Sequence, residues 1–99
     1  MTTDLMNEKD VAEQKVKADL IRKQELNDIR TVLSNASGRR FIWRMMGRCG
    51  TFESIFNDKS STMAYLSGQQ DLGHFLMAEI IEADENLLLK LMKENKKES

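Results

Sequence analysis

Arg40, Arg44 and Arg48 recur every fourth residue, with Arg39 beside them and no acidic residue between Ser37 and Gly50. On a helix that spacing lines the guanidinium groups along one side. Arginine presents a planar fork of donors, so it engages carboxylate or phosphate in a defined geometry rather than by diffuse attraction. The chemistry on offer is anion recognition, and Trp43, at the margin between that side and the apolar one, is either an anchor of the core or a contact residue.

Other reactive residue types are sparse. Cys49 is the single cysteine and His74 the single histidine, which excludes a Cys/His zinc cluster and an internal disulfide framework. Glu79 and Glu82 have the i, i+3 spacing found in di-metal helix bundles, but those also need Glu-x-x-His pairs, which the sequence lacks. Cys49 falls on an apolar helix side and reads as an inert core thiol, and His74 as a structural or surface residue. Neither the glycine elbow of a serine hydrolase nor a phosphate loop is present. The expectation is a protein that is not an enzyme and needs no metal, cofactor or small-molecule substrate. Seven methionines suit an adaptable binding surface, although Met45 and Met46 fit better as core gap-fillers.

The elements that position these residues read as helices. The 99 residues contain no proline and are rich in Leu, Met, Lys, Glu and Ala. The length suits one domain with a thin core. Asn35-Ala36-Ser37-Gly38 is a breaker cluster with Ser37 as the expected N-cap, and a helix should run from about Gly38 to Cys49, stopped by Gly50. Its apolar side gathers Phe41, Ile42, Met45, Met46 and Cys49. A loop to Ser60 follows, with Phe52 and Phe56 expected to be buried and a turn at Asn57-Asp58. Ser60, Ser61 or Thr62 then caps a helix to about Ala83 carrying Tyr65, Leu66, Leu72, Phe75, Leu76 and Ile80. Asp84 caps a last helix with Leu87, Leu88, Leu91 and Met92 inside, and the C-terminal residues are expected to fray.

The stretch from Asp4 to Leu33 has no glycine and reads as one long helix or two. At about 100° per residue, Leu5, Ala12, Val16 and Leu20 share one sector, while Leu26, Ile29 and Leu33 lie about a third of a turn away. A rigid helix cannot turn both stripes to one partner. Residues 1–24 are therefore read as a helical arm and 25–99 as the compact domain. The arm is charge-rich and marginal by itself, so its stripe of Leu5, Val16 and Leu20 is expected to meet a partner.

Charge is distributed in blocks. Fifteen basic and sixteen acidic side chains nearly cancel, yet residues 37–50 hold four arginines and no acid, while residues 51–89 hold seven acids against Lys59 alone. Internal pairing is the first explanation, with the arginines meeting Asp71, Glu79, Glu82 or Asp84. An external anion, on nucleic acid or on a protein, is the second. Insertion into a DNA groove by a helix-turn-helix is disfavoured, because a long aromatic loop and then an acidic helix follow the arginines. Contact with the phosphate backbone through Arg40, Arg44 and Arg48 stays open. Nothing in the sequence reads as a signal peptide or a membrane span; the apolar run Phe75-Leu76-Met77-Ala78 stops at Glu79.

Gly38-Arg39-Arg40-Phe41-Ile42-Trp43-Arg44-Met45-Met46, then Cys49-Gly50-Thr51-Phe52, Phe56-Asn57, Tyr65, Gly68 and Glu82-Ala83-Asp84, resemble a small helical domain family of tailed phages, first named from a short-tailed Bordetella phage. The resemblance covers about Leu26 to Met92. Relatives often carry proline after the aspartate matched by Asp84, where Glu85 stands here. The resemblance implies a virion-associated or head-assembly product, present in the virion and, during assembly, in the host cytoplasm; it transfers no catalytic residues. The expected architecture is all-α, a small bundle of about four helices with an extended N-terminal helical arm. The expected action is protein–protein association in the head, portal or head–tail region. Other virion proteins and further copies in a symmetric ring are the expected partners, through Leu5, Val16, Leu20, Arg40, Trp43, Arg44 and Arg48. The alternative is a nucleic-acid-binding protein, packaged or regulatory, that sets the arginine stripe on phosphates.

Overall fold

A computed structural model describes the backbone of residues 2–96 and the side chains of residues 7–96. Four helices follow one another: α1 (Thr2–Val32), α2 (Ala36–Arg48), α3 (Ser60–Ala83) and α4 (Glu85–Glu94). The described residues contain no strand, so the protein is a small all-α bundle. Its radius of gyration is 19.1 Å and its longest extent 67 Å, against about 12.6 Å expected for a compact chain of this length. The elongation comes from α1, one unbroken helix roughly 46 Å long at 1.5 Å per residue.

The core is small. Leu33, Met46, Ile80, Leu88 and Leu91 are buried together, with Ile29, Ile42, Trp43, Leu76, Met77 and Leu87 half-buried around them. Each helix contributes, because apolar residues at three- and four-residue spacing put one side of each toward a common centre. On α4 that side is Leu87, Leu88 and Leu91, while Met92 is largely exposed. Asp84 caps α4 as its sequence position requires, its carboxylate accepting from Asn86 N–H at 3.0 Å.

The start of α2 differs from the expectation. Asn35 caps the helix, its side-chain oxygen accepting from Gly38 N–H at 2.8 Å, and Ser37 lies inside the first turn. The corner is tight enough that a Cβ on Gly38 would run into the Val32 carbonyl. Ser34, the other capping residue type in this short connection, instead donates its hydroxyl to the Thr31 carbonyl at 2.6 Å. At α3 the expected cap is also replaced: the helix begins at Ser60, with Lys59 at the cap position and no side chain of Ser60, Ser61 or Thr62 capping it, while Asn57 Oδ1 accepts from Lys59 N–H at 2.9 Å.

Candidate interaction surface

The two guanidinium groups at the start of α2 have different fates. Arg39 is buried: its Nε donates to Glu94 Oε1 at 2.7 Å and its Nη1 to the Leu33 carbonyl at 3.0 Å. One side chain thus ties the ends of α1 and α4 to α2. Arg39 stands seven residues before the buried Met46, on the same helix side, and that spacing is the signal separating it from its arginine neighbours.

Arg40, Arg44 and Arg48 lie on the opposite side and are exposed. Arg40 Nη2 donates to Ser37 Oγ at 3.2 Å, and the Arg44 guanidinium lies 5.5 Å from the centre of the Phe41 ring. Among the described residues, none of the three makes an ion pair. The expected internal pairing therefore does not form on this stripe. Glu79 and Glu82, two of the carboxylates expected to meet it, are taken by Arg22 of α1, at 2.6 and 2.5 Å. That guanidinium, through its hydrogen bond, holds the Glu82 carboxyl below its ordinary range, and the Arg22 pKa is raised in return. Glu94 is lowered likewise, first by the hydrogen bond from Arg39. Asp84 is spent on its cap.

Trp43 is half-buried against the core and stacks on Phe52, with ring centres 5.5 Å apart and planes inclined by 29°. Phe52 and Phe56, expected to be buried, are 51% and 78% exposed. Phe52 is nonetheless held in place, because the loop carrying it is locked. Gly50 turns the chain at φ +65°, and buried Thr51 donates its hydroxyl to the Met46 carbonyl at 2.7 Å. Gln70 of α3 donates to the carbonyls of Gly50 and Glu53. His74 Nε2 lies 3.0 Å from the Thr51 carbonyl, which can only accept, so the ring carries its proton there. Gly73 lets the loop approach, since a Cβ on it would meet Thr51 Oγ1. Cys49 lies half-buried against the same glycine. The arginine stripe and the Trp43–Phe52 pair thus stand on a fixed platform.

Apolar surface remains uncovered elsewhere. Tyr65, Leu72 and Phe75 of α3 are 66%, 55% and 57% exposed. They form a second stripe with Gly68 at alternating three- and four-residue spacing, beside the side that buries Gly73 and Ile80. Phe75 also walls a cleft of about 420 Å³ between α1, α2 and α3, floored by Ile29, Val32, Ile42 and Leu76. On the arm, every described side chain from Asn7 to Ile21 is exposed, including Val16 and Leu20 of the expected stripe. The Leu5 side chain lies outside the described residues.

No helix is long and apolar enough among the described residues to cross a membrane, and no group of three or more His, Cys, Asp or Glu is placed to hold a metal ion. Compared with known protein families, residues 29–93 match the Bbp19-like phage protein. No curated protein and no solved structure matches the chain.

Proposed function

The chain belongs to the Bbp19-like phage protein family, and from that premise we propose that it is a non-enzymatic structural or accessory protein of the virion, acting by association in the head, portal or head–tail region. It would be made in the host cytoplasm and retained in the particle. The match stops short of the arm, beginning at Ile29.

The observation that carries the reading is the arm. The described side chains of α1 from Asn7 to Ile21 are all exposed, so none of them is buried in the core, and a helix without such packing is marginal in water. Covering Val16 and Leu20 with a partner helix supplies the missing contact. The arginine stripe and Trp43, on their locked platform, would then fix how the domain docks on an acidic surface.

Mass spectrometry of purified virions, with and without their DNA, tests this. A fixed copy number retained by emptied particles is the expected result; absence from the virion would end the reading. The unpaired state of Arg40, Arg44 and Arg48 among the described residues favours one alternative, a phosphate-binding protein. In that case the protein leaves with the DNA.

A further inference from the structure

We propose that the cleft between α1, α2 and α3 is the seat of the arm of a second copy of this chain, so that the protein assembles arm into cleft. The inference rests on the reading of the arm as an association element and names its partner.

The chain's own arm cannot reach the cleft. α1 contains neither glycine nor proline from Thr2 to Val32 and is one continuous helix, whose last turns form a wall of the cleft. The occupant must therefore come from another molecule. Every copy carries one uncovered arm and one uncovered cleft, so exchange between copies satisfies both at equal stoichiometry.

The two surfaces match in length and in charge. From Ala12 to Leu20 the arm stripe rises about 12 Å, and from Tyr65 to Phe75 the exposed stripe of α3 rises about 15 Å into the cleft. Lys9 and Lys23 fall on the same side of α1 as Ala12, Val16 and Leu20, one before and one after that stretch, while Glu13 and Asp19 stand at its two edges. Among the residues lining the cleft, Glu25, Asp28 and Glu79 outnumber the one cation, Arg22; Arg22 pairs with Glu25 and Glu79, so Asp28 is the acid left without an ion pair among the described residues.

The area also fits. The chain exposes 7972 Å², whereas a compact monomer of this mass exposes roughly 5,800 Å². The surplus of about 2,200 Å² exceeds the approximately 800 Å² that one partner contributes to a standard interface. It accommodates two contacts per copy, one through the arm and one through the cleft.

Sedimentation of the full chain between roughly 5 and 200 µM reads the assembly directly. Two sets of exposed residues are altered separately: Val16→Asp with Leu20→Asp on the arm, and Val32→Lys with Phe75→Lys at the cleft, with helicity checked by circular dichroism. The expected result is a wild-type mass at least doubled, each variant monomeric, and a 1:1 complex when the variants are mixed, because an intact arm then meets an intact cleft. A wild type that stays monomeric overturns the proposal and leaves the cleft to another protein. A variant that assembles like wild type, or a mixture that stays monomeric, overturns it too. Presence in virions without self-association sinks this inference and leaves the functional reading standing; self-association with absence from virions does the reverse.

Discussion

Arg39 and Glu94 are 55 residues apart in sequence and 2.7 Å apart in the fold, and the same guanidinium closes on the Leu33 carbonyl at 3.0 Å. The two contacts hold the ends of three helices with one side chain. Arg39 is buried while the Glu94 side chain is 39% exposed, so the partners do not contribute equally. Arg39→Ala leaves a carbonyl and a carboxylate without their donor and is expected to cost about 2–3 kcal/mol. Glu94→Gln, at the wetter end, should cost less than Arg39→Ala. Lysine at 39 should not restore stability, because one ammonium cannot reproduce the two-armed contact. Urea denaturation followed through Trp43, the single tryptophan, measures all three.

A second prediction concerns Gly73. A Cβ there meets the hydroxyl and Cβ of Thr51, and that threonine is pinned by its bond to the Met46 carbonyl. Gly73→Ala should therefore push the loop off α3, costing about 1–3 kcal/mol despite alanine's better helix propensity. In a Thr51→Ala background the nearest obstacle is gone and the penalty should shrink by roughly 1 kcal/mol. A double-mutant cycle by thermal denaturation measures this coupling; additive effects would show that the contact does not limit packing.

Much of the architecture is legible in the sequence, and most of what is not has a common physical cause. Helix bounds follow from local signals: Asp84 before a Leu-rich run, Gly50 after the arginines, and Ser60 after a turn. The caps of α2 and α3 differ from the sequence reading, with Asn35 in place of Ser37 and no side-chain cap before Ser60; the other failures are questions of which side faces inward. Phe52 and Phe56 are apolar by type, so a sequence reading sends them to the core, but the packing of the four helices buries only a few large side chains and leaves both exposed, along with Tyr65, Leu72 and Phe75. Apolarity sets the wish to be covered without saying by which molecule. Pairing of charges was equally hidden. Arg22 lies far in sequence from Glu79 and Glu82, and only the crossing of α1 and α3 brings them together. At the candidate surface, the exposure of Arg40, Arg44 and Arg48 follows from their spacing, whereas the separate fate of Arg39 depends on where α4 ends.

Acid should loosen the fold at two identifiable places. Arg22 holds the Glu82 carboxyl, and Arg39 the Glu94 carboxyl, below the ordinary value of 4.5. Between the lowered values and the ordinary one, the unfolded chain binds more protons than the folded chain, so stability rises with pH there. The contribution is complete above the ordinary value and is lost as pH falls through the lowered ones. Melting temperatures measured from roughly pH 6 to pH 3 should decline, and Arg22→Ala or Arg39→Ala should flatten the decline by returning its carboxylate toward its ordinary value. A profile unaltered by both substitutions would remove these pairs as the source.

The arginine stripe should separate stability from association. Arg40 and Arg48 are exposed and make no ion pair among the described residues, so alanine at either should shift stability by no more than about 0.5 kcal/mol. Arg44→Ala also gives up the contact with Phe41 and should cost at most about 1 kcal/mol. A triple variant that stays folded, destabilised by at most about 2 kcal/mol, and no longer enters virions is the expected outcome. Binding to duplex DNA distinguishes the two anions. If the stripe meets an acidic protein surface, wild type and triple variant bind DNA alike. If it meets phosphates, three contacts give a log affinity that falls with log salt at a slope of about −2.7, and the triple variant loses that dependence.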